Sequence, residues 1–405
     1  MLRWLPVVLA ACGVPGATAA DFTAIERGRY LTTAGDCVSC HTAPGGAPFA
    51  GDRTVTTPFG ALLSPNLTPD GETGLGAWTE NQFVRAMQDG IGRHGEHLYP
   101  GLPYPYFTVV RRADLVDILA FLRTLPPVHN RVDSDRLAFP FNIRAGTVAW
   151  NAVNFRPGEY RPNAAKSEEW NRGGYLVEGL GHCGACHTPK NLLGGDDKSR
   201  LYQGGVVNNW YAPDIAGDGR QGLGGWSVDD VATYLKTGQS RTSLAGGPMA
   251  EVIERSTSHL DEADLRAVAV YLKDQPGPGT PAPAPLPPYV LTMRAGAAIY
   301  ADLCSSCHTP RGEGVRGLFP ALAGSPSLQN DDATTLVRTV LRGGRAAGTD
   351  SRPGRPAMPS YGTLLDDEKV AAVVNYVRNS WNNAAPEVTP RDVRVLRAAL
   401  DDAAD

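Results

Sequence analysis

The sequence predicts a mainly α-helical chain built from three small domains in tandem. A Cys-x-x-Cys-His motif occurs three times, at residues 37–41, 183–187 and 304–308. An amphipathic stretch with helical period lies downstream of each motif. The chain has 405 residues, more than the roughly 250–300 at which a single hydrophobic core stops growing. One small domain per motif accounts for all three observations.

The N-terminus predicts export from the cytoplasm. Residues 1–20 combine a positive start, a short apolar stretch at 5–11 and the small-residue pattern Ala17-Thr18-Ala19, which is typical of a cleaved signal peptide. An alternative stays open, because residues 9–12 resemble a lipobox in which Cys12 is acylated. No other stretch reaches the ~20 apolar residues that span a bilayer. We therefore expect a periplasmic chain, soluble or held at the periplasmic face of the inner membrane.

The repeated motif predicts covalent haem. Two thiols separated by two residues can bond the two vinyl-derived carbons of one porphyrin, and the next imidazole then reaches the iron. A single Cys-x-x-Cys would equally fit a redox dithiol or half of a zinc site. Here every copy carries its histidine, and no cysteine of the mature chain is left over. The sequence thus predicts three haem c groups, with thioether bonds from Cys37, Cys40, Cys183, Cys186, Cys304 and Cys307, and proximal iron ligands His41, His187 and His308.

The amphipathic stretches have equal spacing and an equal place after each motif. Their apolar residues stand at i, i+3, i+4 and i+7, which places them on one helix face. They are Leu115, Ile118, Leu119 and Leu122, then Leu265, Val268, Ala269 and Leu272, then Val370, Val373, Val374 and Val377. Each stretch is predicted to be the terminal helix of a cytochrome c domain.

A proline-rich segment and a shared sequence block indicate the boundaries between these domains. Residues 275–288 are dominated by proline, which predicts a semi-rigid extended linker. The first two domains share a Gly-Leu-Gly-x-Trp block, followed by the capping-box pairs Thr79 with Gln82 and Ser227 with Asp230. We predict cytochrome c domains at 21–126 (first unit), 169–274 (second unit) and 289–384 (third unit), a connecting segment at 127–168 and a C-terminal tail at 385–405.

A second axial ligand determines what each haem does, because methionine opposite histidine raises the potential and closes the iron to substrates. Met249 and Met358 precede the terminal helices of the second and third units and are the predicted ligands there. In the first unit, Leu102 stands where Met358 stands in the third. Because leucine cannot bind iron, the first haem takes another ligand or stays five-coordinate. His97, directly before this loop, is the preferred candidate over His94 and Met87.

The mature chain resembles the three-haem cytochrome c subunits of bacterial membrane-associated dehydrogenases. The matching residues are 97–100, 170–183, 187–191, 210–213 and 375–381. The resemblance implies that a catalytic subunit (quinoprotein, flavoprotein or molybdenum enzyme) oxidises an alcohol, sugar or aldehyde. Its electrons would pass through the haems to ubiquinone or a terminal oxidase. Two features depart from the family: Leu102, and a short charged C-terminus without an apolar anchoring segment.

Two alternatives to a dehydrogenase subunit follow from the sequence. One is a free-standing periplasmic electron shuttle. The other is a haem peroxidase that uses an open first haem, which Leu102 motivates. No flavin, quinone, molybdenum or nicotinamide site is recognisable, so we expect a non-catalytic subunit. The net charge of −4 offers no basic surface for nucleic acid.

Overall fold

The computed structural model describes residues 19–57, 59–133 and 135–402. Cys12 and nearly all of the predicted signal peptide lie outside them. The described chain is mainly helical, which confirms the predicted fold class. Among the described helices, none is both long and apolar enough to cross a membrane.

The first unit has one helix before its motif, one helix within the motif, a hairpin after it and then three further helices. These are α1 Ala19–Ala34, α2 Cys37–Cys40, β1 Thr54–Thr57, β2 Gly60–Leu63, α3 Glu80–Asp89, α4 Tyr104–Phe107 and α5 Arg112–Leu122. The predicted capping box of Thr79 and Gln82 starts α3. In the connecting segment, β3 Asp135–Leu137 adds antiparallel to β2, and α6 covers Gly146–Asn154.

The second unit repeats this order. Its elements are α7 Glu168–Tyr175, a π-helical turn Leu176–Leu180, α8 Gly184–His187, a 3₁₀ turn Lys198–Arg200, β4 Gln203–Val207, β5 Trp210–Asp214, α9 Val228–Thr237, α10 Gly247–Arg255, a 3₁₀ turn Thr257–His259 and α11 Glu262–Lys273. The capping box of Ser227 and Asp230 starts α9, as predicted. Strands β4 and β5 form an antiparallel hairpin.

The third unit, which lies wholly within the described residues, lacks the hairpin directly after its motif. Its elements are α12 Leu291–Ile299, a π-helical turn Tyr300–Cys304, α13 Ser305–His308, α14 Pro326–Gln329, α15 Thr334–Arg342, β6 Gly344–Arg345, β7 Ala357–Met358 and α16 Asp367–Arg378. The predicted tail contains a further helix, α17 Pro390–Asp402, which buries Val393 and Leu400 in the hydrophobic core of the third unit. Sequence reasoning treated this segment as a tail because its charges hide that narrow apolar stripe.

The three predicted terminal helices are confirmed as α5, α11 and α16, and their predicted apolar residues are buried. Each crosses the helix that precedes its motif, at a glycine of that helix. A Cβ at Gly28, Gly173 or Gly296 would lie 1.8, 1.9 or 2.1 Å from a carbonyl oxygen of the facing helix. Only glycine permits so close an approach. The same crossing in all three units is direct structural evidence for the repeat.

The first and second units share one hydrophobic core, whereas the third has its own. A polar tie accompanies the shared core. Tyr30 of α1 donates its hydroxyl to Asp264 of α11 at 2.6 Å, and Arg172 of α7 donates two hydrogen bonds to the same carboxylate at 2.7 and 2.6 Å. A buried carboxylate with charged and neutral donors links the two units.

Asp264→Asn is expected to lower the free energy of unfolding by about 2 kcal/mol, since hydrogen bonds to charged groups contribute roughly 1.5–3 kcal/mol. Burial raises the pKa of Asp264, but the bonds from Arg172 and Tyr30 outweigh it and leave the pKa below its ordinary value. The contribution of the Asp264 carboxylate to stability is therefore complete above about pH 3.9, the pKa of an aspartate in the unfolded chain. It is lost as the pH falls through the lower pKa of Asp264 in the folded state.

Denaturant unfolding of both proteins at several pH values tests this expectation. The difference should be present at pH 7 and vanish in acid. Glu72→Gln, which breaks an exposed pair with Arg131, serves as the control and should leave stability unchanged. Equal stability of Asp264→Asn and the wild type at pH 7 would contradict the role given to this tie.

Candidate haem-binding sites

Each Cys-x-x-Cys-His motif forms a short helical turn at the end of a longer helix. Helix α2 spans the first cysteine pair, while α8 and α13 end at His187 and His308. One π-helical turn ends at Leu180, three residues before the second motif, and another ends at Cys304, the first residue of the third motif. Such turns are frequent at functional sites. Within the described residues, the six motif cysteines form no disulfide bond. They are thus available for the thioether bonds that haem c requires.

The three motif histidines make the same hydrogen bond. In each, the ring Nδ1 lies within hydrogen-bond distance of a proline carbonyl oxygen. The pairs are His41 with Pro65 at 2.8 Å, His187 with Pro213 at 2.6 Å and His308 with Pro320 at 3.1 Å. A carbonyl can only accept, so Nδ1 carries the proton.

This bond leaves Nε2 with its lone pair, in the orientation that a metal ligand needs. Burial lowers the pKa of each of the three imidazoles, and the bond to the carbonyl opposes that shift only in part. The neutral form is therefore favoured, and this is the form that binds iron. The residues present fit a proximal haem ligand at all three motifs.

The proline acceptors were missed in the sequence. A signal was available, because Pro65, Pro213 and Pro320 each begin a Pro-x-Leu or Pro-x-Ile tripeptide between the motif and the terminal helix. In the first two units the proline belongs to a hairpin: Pro65 lies two residues after β2, and Pro213 lies within β5. In the third unit a short loop does so.

In the third unit the predicted ligands surround one cavity of about 320 Å³. Cys304, Cys307, His308 and Met358 all line it. Met358 is held on β7, opposite Gly344 of β6. The remaining wall is mostly apolar, which suits a porphyrin face. The structure thus brings the thiols, the imidazole and the thioether of this unit together.

In the second unit Met249 lies near the start of α10 and is partly buried. Its side chain packs against the shared core and against a small cluster formed by Ala245, Ala250, Ile253 and Ala347. Met249 therefore sits where the second and third units meet.

In the first unit Leu102 packs, partly buried, against the shared core. Met87 is buried on α3 and packs in the shared core. His94 is exposed. The Nδ1 of His97 is buried and has no hydrogen-bond partner within the described residues, while its carbonyl accepts a bond from Arg144 at 3.0 Å. The first unit thus has no methionine at the position that Met358 occupies in the third.

Helical units that each carry a Cys-x-x-Cys-His turn, with a neutral imidazole fixed by a backbone carbonyl, define a c-type cytochrome. The family model for cytochrome c matches residues 25–126 and 293–381. These two ranges contain the first and third motifs, and the second motif lies between them.

Individual relatives match much more of the chain. It is 36% identical to the gluconate 2-dehydrogenase cytochrome c subunit of Pantoea cypripedii, over 92% of this chain and 89% of the relative. It is 37% identical to the cytochrome c subunit of the quinone-dependent alcohol dehydrogenase of Gluconobacter oxydans, over 95% and 84%. It is 34% identical to the fructose dehydrogenase cytochrome subunit of Gluconobacter japonicus, over 95% and 85%.

The chain belongs to the family of dehydrogenase cytochrome c subunits, and it is an electron-transfer subunit that binds haem c. This confirms the resemblance stated from the sequence.

Proposed function

We propose that the chain carries three covalent haem c groups and relays electrons from a partner dehydrogenase to ubiquinone or a terminal oxidase. The partner would be a quinoprotein, flavoprotein or molybdenum enzyme that oxidises an alcohol, sugar or aldehyde. The observation that carries the proposal is the threefold repetition of the motif together with its proline-held imidazole. A haem supplies reversible one-electron chemistry, and the protein sets its position and potential.

The proposed ligand sets follow the sequence expectation. The six motif cysteines bind the porphyrins, and His41, His187 and His308 bind the irons. Met249 and Met358 are the sixth ligands of the second and third haems, in keeping with the cavity around Met358. His97 is the proposed sixth ligand of the first haem, because its ring is partly buried and makes no hydrogen bond through Nδ1 in the described residues.

Reciprocal packing of the first two motifs supports a relay. Leu180, three residues before Cys183, lies beside Gly35, which is two residues before the first motif. In return, Tyr106 of the first unit lies against Gly184 within the second motif, and Phe107 stacks on His182 with ring centroids 5.8 Å apart. Each unit thus forms part of the surroundings of the other unit's motif, and the two haem sites are neighbours.

We place the mature chain in the periplasm, soluble or held at the periplasmic face of the inner membrane, because haem c is attached outside the cytoplasm. Cys12 offers a site for lipid attachment. Electron transfer to ubiquinone would require such a peripheral contact, since the quinone resides in the bilayer.

Purification from the native host in mild detergent, followed by mass spectrometry, tests the function. A dehydrogenase in fixed proportion to this chain is expected, and its identity would define the substrate class. A haem protein that purifies alone would contradict the subunit function and favour the free-standing shuttle.

Leu102 supports a second candidate function, that of a haem peroxidase whose first haem is five-coordinate and open to peroxide. Peroxide turnover together with high-spin ferric haem in the purified protein would support it. Entirely low-spin haem without turnover would exclude it.

The double substitution Cys183→Ala/Cys186→Ala is expected to remove one haem and leave two, because the thioether bonds are the covalent attachment. Intact mass and the haem content per chain measure the loss. Cys304→Ala/Cys307→Ala should lose one haem in the same way. Retention of three covalent haems in either variant would contradict the assignment of these cysteines.

A further inference from the structure

The hairpin of β4 and β5 stands between the second haem site and the third. Its two strands pair from Val207 opposite Trp210 to Gln203 opposite Asp214. Asn208 and Asn209 form the turn with φ of 49° and 58°, the left-handed conformation of tight hairpin turns. This well-defined hairpin belongs to the second unit by sequence.

One side of the hairpin supports the second motif. Gly205 of β4 lies so close that a Cβ there would be 2.7 Å from the carbonyl oxygen of Cys186. Pro213 of β5 accepts the hydrogen bond of His187 at 2.6 Å. The position of β5 therefore sets the hydrogen bond of the proposed proximal ligand.

The other side of β5 belongs to the third site. Trp210, Tyr211 and Pro213 line the same cavity as His308 and Met358. One strand is thus both the support of His187 and a wall of the cavity in the next unit.

Helix α15 of the third unit contacts this strand through two residues. The hydroxyl of Thr335, on α15, accepts a hydrogen bond from the Tyr211 backbone N–H at 2.8 Å and donates one to the Tyr211 carbonyl at 2.9 Å. A hydroxyl can serve in both roles at once. Nearby, the guanidinium of Arg338 lies 4.4 Å above the Trp210 ring. Helix α15 thus holds β5 two residues before Pro213.

We propose that Thr335 is a positioning residue for the proximal ligand of the second haem. By fixing Tyr211 it holds the Pro213 carbonyl against His187, so the third unit tunes the potential of a haem that it does not bind. A strong bond from Nδ1 makes the imidazole more basic and stabilises ferric iron. Weakening that bond should therefore raise the potential of the second haem. This role rests on the proposed haem at the second motif.

Thr335→Val tests the role, since it removes both hydrogen bonds and retains a β-branched side chain. The full-length, haem-loaded protein is titrated potentiometrically, and the wave missing from Cys183→Ala/Cys186→Ala identifies the second haem. We expect the potential of that wave to rise by an amount that corresponds to a roughly three- to tenfold change in the equilibrium constant for reduction. A tenfold change is about 59 mV for one electron.

Two variants on the same helix side serve as controls. Thr335→Ser retains the hydroxyl and should behave as the wild type. Thr339→Val makes the same substitution at another cavity-lining threonine, whose hydroxyl bonds only the Thr335 carbonyl among the described residues, and should leave the second wave in place. Should Thr335→Val fail to mature, Thr335→Ala removes the same two bonds and carries the same expectation.

A second wave unchanged in Thr335→Val, or shifted equally in Thr339→Val, would overturn the role of Thr335. So would a shift confined to the third haem. Failure of the proposed function is distinguishable, because it appears as a missing second wave in the wild-type protein, before any threonine variant is measured.

Discussion

Leu102→Met is expected to raise the potential of the first haem by on the order of 100 mV, a fraction of the ~0.8 V range that axial ligands span. Leu102 occupies, in its loop, the position that Met358 occupies in the third unit, and it is already partly buried against the shared core. Exchange of leucine for methionine conserves volume, so the core should tolerate it. The new thioether would replace His97, the proposed sixth ligand of the first haem, and would stabilise ferrous iron.

Potentiometric titration and the red-edge charge-transfer band of methionine-bound ferric haem measure this change. The wave absent from Cys37→Ala/Cys40→Ala identifies the first haem. Leu98→Met, four residues earlier in the same loop, is the matched control and should change neither observable. If the potential of the first haem does not rise in Leu102→Met and no new band appears, the thioether at position 102 does not bind the iron.

Met358→Leu is the reverse exchange and is expected to lower the potential of the third haem by on the order of 100 mV, because the ligand that favours ferrous iron is lost. It should also open the sixth position, so that ferric haem takes up added cyanide or imidazole. Met358 lines the cavity that His308 and both thiols share. Among the described residues, no other methionine lines that cavity.

Met293→Leu is the control for this change, since Met293 is buried in the same unit on α12 and lies away from the cavity lining. It should leave all three potentials in place. An unchanged third wave in Met358→Leu, without uptake of added ligand, would exclude Met358 as the sixth ligand.

The sequence predicted those parts of the fold that local periodicity encodes. Helices α5, α11 and α16 follow from apolar spacing alone, and the starts of α3 and α9 follow from their capping boxes. Both signals depend only on neighbouring residues, so they are visible without knowledge of the tertiary fold.

Parts that depend on distant contacts were not predicted. A short Pro-x-Leu or Pro-x-Ile pattern marks Pro65, Pro213 and Pro320, but only the fold brings their carbonyls to an imidazole. The shared core of the first two units likewise depends on Tyr30 meeting Asp264, which are 234 positions apart. The short hairpins carry glycine in β2 and β4, which weakens any strand signal.

For the candidate sites, the sequence predicted the thiols and imidazoles because haem attachment requires this spacing of two cysteines and a histidine. It could not predict that β5 would serve two sites, since Thr335 and Tyr211 are 124 positions apart. The sixth ligand of the first haem remains a prediction, because the local sequence shows only that Leu102 replaces methionine.

Haem content, free thiols and reversible redox behaviour, determined together on one sample of the purified chain, test the central claim most directly. We expect three haems per chain, no alkylatable thiol among the six motif cysteines, and three one-electron equivalents taken up and released reversibly. Fewer than three haems, reactive thiols at any motif, or a haem that cannot be reversibly reduced would contradict a three-haem electron-transfer subunit.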